Sequence, residues 1–371
     1  MCKIDELIQS LCPNGVAFKS VGNTVGINRG KRLTKTQLAD EYEYEVYHGS
    51  KDSILGKYNH FNAPANTTIV VNTGGIGGVK YIDKPFWCSD GSFWLGQSES
   101  IKPKYLYYCL SGYEDYFASQ KREGGVPTID RSVVEDFRIP IPPLAVQEEI
   151  VRILDKFTEL EAELEKELEA RKKQYEWYRD RLLTFGENVP EIQVNTLENC
   201  CVILDNKRQP ITKSSRMQGD YPYYGANGIQ DYVTDYIFDG TYILVGEDGS
   251  VSTANGAPVV NWASGKIWVN NHAHIISEKE GVLLRYLYYY LQTINVQPFI
   301  HGNIPKFTGK DFRSLRILIP PIEEQRRIVA ILDRLDAICN DITTGLPAEI
   351  AARRKQYEYY RDKLLSFEEV A

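Results

Sequence analysis

The sequence lacks an excess of positive charge. Its 43 lysines and arginines stand against 50 aspartates and glutamates, a formal net charge of -7. That excludes a uniformly basic nucleic-acid coat but leaves room for a local DNA-binding face. No run approaches the ~20 apolar residues that a membrane span needs. The opening MCKIDELIQSL has no long apolar core of the secretory type, so a cytoplasmic protein is expected. Seven cysteines are present, yet only Cys200 and Cys201 are neighbours and no C-x2-C pair occurs. Neither a zinc site nor a disulfide framework is indicated.

Catalytic signatures are missing too. There is no GxxxxGK[ST] phosphate loop, and the glycine run at 73–78 lacks a strand–GxGxxG–helix setting. No Asn, Asp or Ser precedes either Pro-Pro pair, so the amino-methyltransferase motif ending in Pro-Pro-aromatic is absent. No Glu-x-Lys occurs, and the lone Asp-x-Lys, Asp205 to Lys207, sits in a basic turn. His272 and His274 would share one side of a strand but lack a third metal ligand. GxSxG is absent. The reading is a non-enzymatic chain with no metal.

What is present is a repeat in 371 residues, a length that suits two or three domains. RKKQYEWYRDRLLTF at 171–185 returns as RRKQYEYYRDKLLSF at 353–367, with eleven of fifteen positions identical. Upstream, PPLAVQEEIVRILD at 142–155 returns as PPIEEQRRIVAILD at 320–333. The offset is 178 upstream and 182 downstream, so the second copy carries four extra residues near Gly345-Leu346-Pro347. Both blocks predict helices. The apolar or long residues Ile150, Leu154, Phe157, Leu160, Leu164, Leu168, Arg171, Tyr175, Tyr178, Leu182 and Phe185 alternate in steps of three and four almost throughout, which is a coiled-coil seam. In the second copy the seam runs through Ile328, Leu332, Leu335, Ile338 and Ile342 to Ile350, Tyr357, Tyr360, Leu364 and Phe367. Pro347 is expected to break or kink it. Four residues are near one turn, so the seam is expected to survive.

The segments between the helices are strand-rich and weakly alike. GKRLTK at 30–35 answers NKRQPITK at 206–213, TTIVV at 67–71 answers TYILV at 241–245, and KYLYYCL at 104–110 answers RYLYYYL at 285–291. Loops carrying Val126-Pro127 and Ile304-Pro305 follow. The expected fold class is α+β: two mixed α/β domains separated by an antiparallel coiled coil of two long helices, with a pseudo-twofold internal repeat. The expected segments are 1–141, 142–187, 188–319 and 320–371. Residues 1–139 hold 16 basic and 16 acidic residues and 191–317 hold 11 and 12, so the surplus acid sits largely on the helices.

This arrangement resembles the specificity (S) subunits of type I restriction-modification systems. The I-P-x-P-P and I-x-I-P-P starts followed by Gln, the I-V-x-I-L-D helix beginnings and the duplicated QYExYRDxLL block carry the resemblance, which covers the whole chain. It implies two target recognition domains, each reading half of a split asymmetric site in double-stranded DNA. It also implies a helical spacer that docks methyltransferase (M) subunits and, through the complex, a restriction (R) subunit. S-adenosylmethionine would belong to the M subunit, with no cofactor on this chain. A specificity subunit of a related bifunctional restriction-methylation system, or a coiled-coil protein adaptor without DNA binding, are the alternatives.

Under that resemblance the basic turns suit phosphate contact: Lys31, Arg32 and Lys35, recurring as Lys207, Arg208 and Lys213, with Arg216 nearby. Lys51, Lys121, Asn227, Asn271, His272, Asn303 and Lys306 are further candidate DNA contacts on loops. Tyr175, Tyr178, Tyr357 and Tyr360 read as core of the seam. Arg179, Asp180, Arg361 and Asp362 lie outside it and are the expected M-subunit contacts.

Overall fold

The computed structural model describes residues 3–122, 125–185 and 191–370. In the first half, α1 (Lys3–Leu11), α2 (Val21–Thr24), α3 (Pro103–Ser111), α4 (Glu114–Ser119), α5 (Arg131–Glu135) and the 40-residue α6 (Leu144–Leu183) accompany nine strands. These are β1 (Ala17–Ser20), β2 (Ile27–Arg29), β3 (Tyr44–Tyr47), β4 (Gly56–Tyr58), β5 (Thr67–Val71), β6 (Val79–Ile82), β7 (Trp87–Cys88), β8 (Ser92–Leu95) and β9 (Arg138–Ile141). The second half holds α7 (Leu197–Cys200), α8 (Leu284–Leu291), α9 (Gly309–Ser314), α10 (Ile322–Asn340) and α11 (Leu346–Leu365). Its strands are β10 (Gln193–Thr196), β11 (Val202–Ile203), β12 (Gln218–Gly225), β13 (Gly228–Val233), β14 (Phe238–Gly246), β15 (Val260–Val269), β16 (Ala273–Ser277), β17 (Ile300–His301), β18 (Lys306–Phe307) and β19 (Arg316–Ile319).

Two compact units divide the chain, and the first uses both ends of it: Met1–Glu165 with Ile350–Ala371. Its sheets run β2-β8-β5-β6 and β4-β3-β7, while β1 pairs antiparallel with β9 just before α6. All of TTIVV in β5 is buried, as the β-branched run of a central strand should be. Tyr105, Leu106, Tyr108 and Leu110 of α3 are buried in the same core as Ile150 and Leu154 of α6. The last helix closes this unit. The Arg354 guanidinium reaches Glu161 at 2.6 Å and Glu165 at 3.4 Å, and the Phe157 and Tyr360 rings stack at 5.3 Å. Numbers fall along α6 as they rise along α11, so the two stretches run antiparallel. Beyond α11, the Val16 amide donates to the Glu368 carbonyl at 2.8 Å and the Val370 amide to the Val16 carbonyl at 3.1 Å.

The second unit is Lys166–Glu349. One six-stranded sheet, β11-β16-β14-β15-β12-β13, does the work of the first unit's two sheets. The ten-residue β15 spans it; in the first unit the corresponding path is cut between β6 and β7 by Asp83-Lys84-Pro85, and proline cannot donate to a ladder. The strand pair β10–β19 repeats β1–β9. The C-terminal stretch of α6 packs here: Tyr175 is 7% exposed, its ring 6.5 Å from that of Tyr289 in α8, in one core with Leu332 and Cys339 of α10.

The two repeated helix starts explain their own motif. Gln147 is fully buried; its side-chain oxygen accepts from the Lys102 amide at 2.8 Å, and its amide nitrogen donates to the Ser100 and Pro142 carbonyls at 3.0 and 2.8 Å. Gln325, also fully buried, does the same with Leu283, Gly281 and Pro320 at 2.9, 3.1 and 2.9 Å. Asp155 accepts from the Tyr108 hydroxyl at 2.5 Å and pairs with Lys104 at 2.8 Å. Asp333 accepts from the Tyr289 hydroxyl at 2.6 Å and pairs with Arg285 at 2.7 Å.

The expected second long helix is a correction. The chain turns at Asp341–Gly345 and forms two helices of 19 and 20 residues. The Asp341 carboxylate accepts from the amides of Thr343 and Thr344 at 2.7 and 3.2 Å and from both hydroxyls. Pro347 falls in the first turn of α11, where a missing N–H has no helical partner to lose. The seam does not survive: Ile338 is 40% and Ile342 80% exposed. Tyr178, expected in the core, is 38% exposed, whereas Tyr357 and Tyr360 are half-buried.

Candidate nucleic-acid interface

In each unit a set of loops is tied together at one end of the strands. In the first, the Lys31 amide donates to the Cys88 carbonyl at 2.9 Å, and the Trp87 indole N–H donates back to the Lys31 carbonyl at 2.7 Å. Gly30 permits this approach, since a Cβ there would lie 1.9 Å from the Ser89 carbonyl oxygen. The Gly75 amide bonds the Gly49 carbonyl at 2.8 Å, the Asn72 amide the Gly91 carbonyl at 3.0 Å, and the Thr73 hydroxyl the Thr128 hydroxyl at 3.2 Å. Loops near residues 31, 49, 73, 90 and 128 therefore form one face.

The second unit repeats the device. The Trp268 indole N–H donates to the Gln209 carbonyl at 2.6 Å. The Glu247 amide bonds the His272 carbonyl at 2.8 Å, the Phe307 amide the Glu247 carbonyl at 2.7 Å, and the Gly249 amide the Pro305 carbonyl at 2.9 Å. The Asn270 amide reaches the Tyr224 carbonyl at 3.0 Å. Loops near 209, 225, 247, 271 and 305 are thus joined.

A buried ionic cluster pins this second face. His274 is 1% exposed; Nδ1 lies 2.7 Å from Asp205 and 3.6 Å from Glu247, and Nε2 lies 3.0 Å from the Phe307 carbonyl. Its ring stacks on Phe312 at 4.3 Å. Burial pushes the Asp205 carboxyl up, but the bonds from His274 and the Ile275 amide, with Arg208 beside them, hold it below the ordinary carboxylate range.

The sequence candidates divide by availability. Lys31, Arg32, Lys35, Lys121, Lys207, Lys213, Asn227, Asn271 and Asn303 are exposed. Arg208 is not free: its side chain is 13% exposed and its guanidinium donates to Glu247 and the Ala273 carbonyl, both at 2.6 Å, so it holds the frame of the face. Arg216 lies 4.1 Å over the Tyr223 ring and 3.5 Å from Asp231, a packed position. Lys51 pairs with Glu114 at 2.5 Å, and Lys306 lies 3.8 Å from Glu247. His272 is bonded to Asp248 and His274 to Asp205, so the two histidines serve different carboxylates. Among the described residues no group of three or more His, Cys, Asp or Glu side chains could hold a metal ion. No helix there is long and apolar enough to cross a membrane.

The expected partner contacts also divide. Arg179 and Arg361 have side chains 10% and 13% exposed and lie over Tyr175 and Tyr357 at 5.8 and 5.7 Å. These arginines pack inward, a correction to their placement outside the seam. Asp180 and Asp362 are exposed at 59% and 68%. Sequence reading passed over Trp177 and Tyr359, which are 54% and 61% exposed at matching places in the repeat. An aromatic at one position of both copies, off the apolar stripe, was the available signal. It also passed over Trp87 and Trp268: they stand 181 residues apart, whereas Lys31 and Gln209, whose carbonyls they bond, stand 178 apart.

The comparisons with known proteins agree with this geometry. The family model of the type I restriction modification DNA specificity domain matches residues 13–171 and again 191–352. The chain is 30% identical over 361 residues, 88% of each chain, to the EcoR124I/EcoR124II specificity subunit of Escherichia coli. It is 42% identical over 185 residues to a putative type I restriction enzyme specificity subunit of Haemophilus influenzae, and spans 48% of that relative's length. A type I restriction-modification S subunit from M. genitalium shares the fold, with a TM-score of 0.61 at 18% identity over 95% of this chain and 97% of that one. Two successive matches to one domain model, placed on two units that repeat the same loop face, show that the chain belongs to the type I restriction-modification specificity subunits.

Proposed function

We propose that the chain is the non-catalytic DNA-reading subunit of a type I restriction-modification complex. Each unit reads one half of a split, asymmetric duplex target. One observation carries the reading: the same tryptophan-to-carbonyl tie builds the loop face twice, under different exposed side chains. Like scaffolds with unlike surfaces suit two half-sites of different sequence. The free lysines and Arg32 serve phosphates, and the exposed Asn227, Asn271 and Asn303 are placed to meet base edges.

Methyltransferase subunits dock on the repeated block, through Trp177 and Asp180 in one copy and Tyr359 and Asp362 in the other. Aromatic anchors flanked by charge are the usual composition of such contacts. S-adenosylmethionine stays with the methyltransferase, and a restriction subunit joins through it.

The test is to co-express the chain with its methyltransferase and map methylated adenines in the host genome. A split asymmetric motif is expected; a continuous motif, or none, overturns the reading. Exchanging residues 1–141 for those of another such subunit should change one half of the motif only. In the assembled complex, a Lys31→Ala/Arg32→Ala double variant should weaken binding and lower the slope of log affinity against log salt by about 1–2. An unchanged slope removes both from the phosphate contacts.

A further inference from the structure

We propose that the tips Val126-Pro127 and Ile304-Pro305 are apolar wedges that press into a base step of the duplex, one in each half-site. The inference rests on the DNA-reading function above. Val126 is 76% and Ile304 72% exposed. A lone exposed aliphatic would need no explanation. Here two occupy the same place: they stand 178 residues apart, the offset of the repeated helix starts, and each precedes a proline.

Their backbone setting is alike. Val126 lies between the antiparallel-bridged Arg122 and Thr128, and Ile304 between the antiparallel-paired His301 and Lys306, with a register one residue different. Three residues beyond each tip aliphatic is a buried anchor, Ile129 at 2% and Phe307 at 0% exposure. The anchor amides bond the Asn72 and Glu247 carbonyls at 3.0 and 2.7 Å, on the loop faces already described. An aliphatic held out by a proline and a buried anchor keeps its apolar surface in water until a partner covers it.

The neighbours in sequence point to DNA as that partner: Lys121 precedes the first tip by five residues and Lys306 follows the second by two, both exposed, with Lys306 3.8 Å from Glu247. Cations at the base of an apolar point can hold phosphates on either side of an opened step. Branched aliphatic and proline wedges unstack duplex steps in this way.

The test uses the chain assembled with its methyltransferase and target duplexes carrying 2-aminopurine. The probe is moved through both half-sites, omitting the methylated adenine, which the methyltransferase itself extrudes. The unaltered complex should brighten the probe at one step in each half. Val126→Ser should abolish the signal in one half and Ile304→Ser in the other. Each should weaken specific binding about tenfold or more, the scale of losing a covered aliphatic side chain, with the salt slope unchanged because no charge is removed. Val126→Ile and Ile304→Val should retain the signal, which separates a wedge from a misfolded loop. Specific binding without brightening, or serine variants that brighten and bind like the unaltered complex, overturns the wedge alone. No sequence-dependent binding by the unaltered complex overturns the DNA-reading function beneath it.

Discussion

Gln147 and Gln325 show how much one buried polar side chain can carry. Each satisfies an amide and two carbonyls that the fold takes out of water. Gln147→Leu or Gln325→Leu keeps the volume but strands those groups, so each should lower unfolding free energy by about 2–4 kcal/mol in denaturant titrations. The repeat marks both glutamines; their role was not legible, because two of the three partners of each lie 42 to 47 residues upstream. Arg208 is the opposite case. Its basic-turn neighbours made it look free, and only the fold brings Glu247 and the Ala273 carbonyl to it. Glu149 gives a pH test. Its side chain is 4% exposed, and bonds from Arg152 and then Lys3 lower its carboxyl to about 2. A folded value below the unfolded one stabilises fully above the ordinary carboxylate range, and the benefit is lost as pH falls towards 2. The thermal midpoint should therefore drop through that window, and Glu149→Gln should flatten the drop.

Elements were legible where periodicity or composition was strong. The 40-residue α6, the buried run of β5 and the tyrosine-rich α3 and α8 follow the pattern. The second helix was misread because spacing alone cannot distinguish an inserted turn from an inserted loop. Asp341, Thr343 and Thr344 close on one another, which rewards a turn over continued helix. Gly345 then becomes necessary: a Cβ there would stand 2.4 Å from the Ala337 carbonyl and 2.7 Å from that of Asp341. Both obstacles are backbone. Gly345→Ala should cost about 1–3 kcal/mol, the scale of a forced steric fit, read by denaturant unfolding. A variant as stable as the unaltered protein would show that the turn can widen freely.

On the scale of the whole chain, the repeat does more than duplicate. The block at 171–185 completes the second unit, through Tyr175 against Tyr289, while the block at 353–367 completes the first, through Tyr357 against Tyr108. Each unit is therefore finished by helix that does not directly follow its own strands into sequence order. This was not legible from the repeat, since both blocks fit either surface by composition. It carries a consequence for truncation. Removing residues 350–371 takes away Arg354, Tyr357, Tyr360 and Leu364, and with them the cover of Phe157 and Tyr108. The second unit, Lys166–Glu349, loses none of its own residues. Hydrogen exchange on the truncated chain should show protection lost in α3 and at 144–165 and kept in α8 and α10. Equal loss in both units would mean that they fold as one cooperative body and that the terminal helix supports the whole chain.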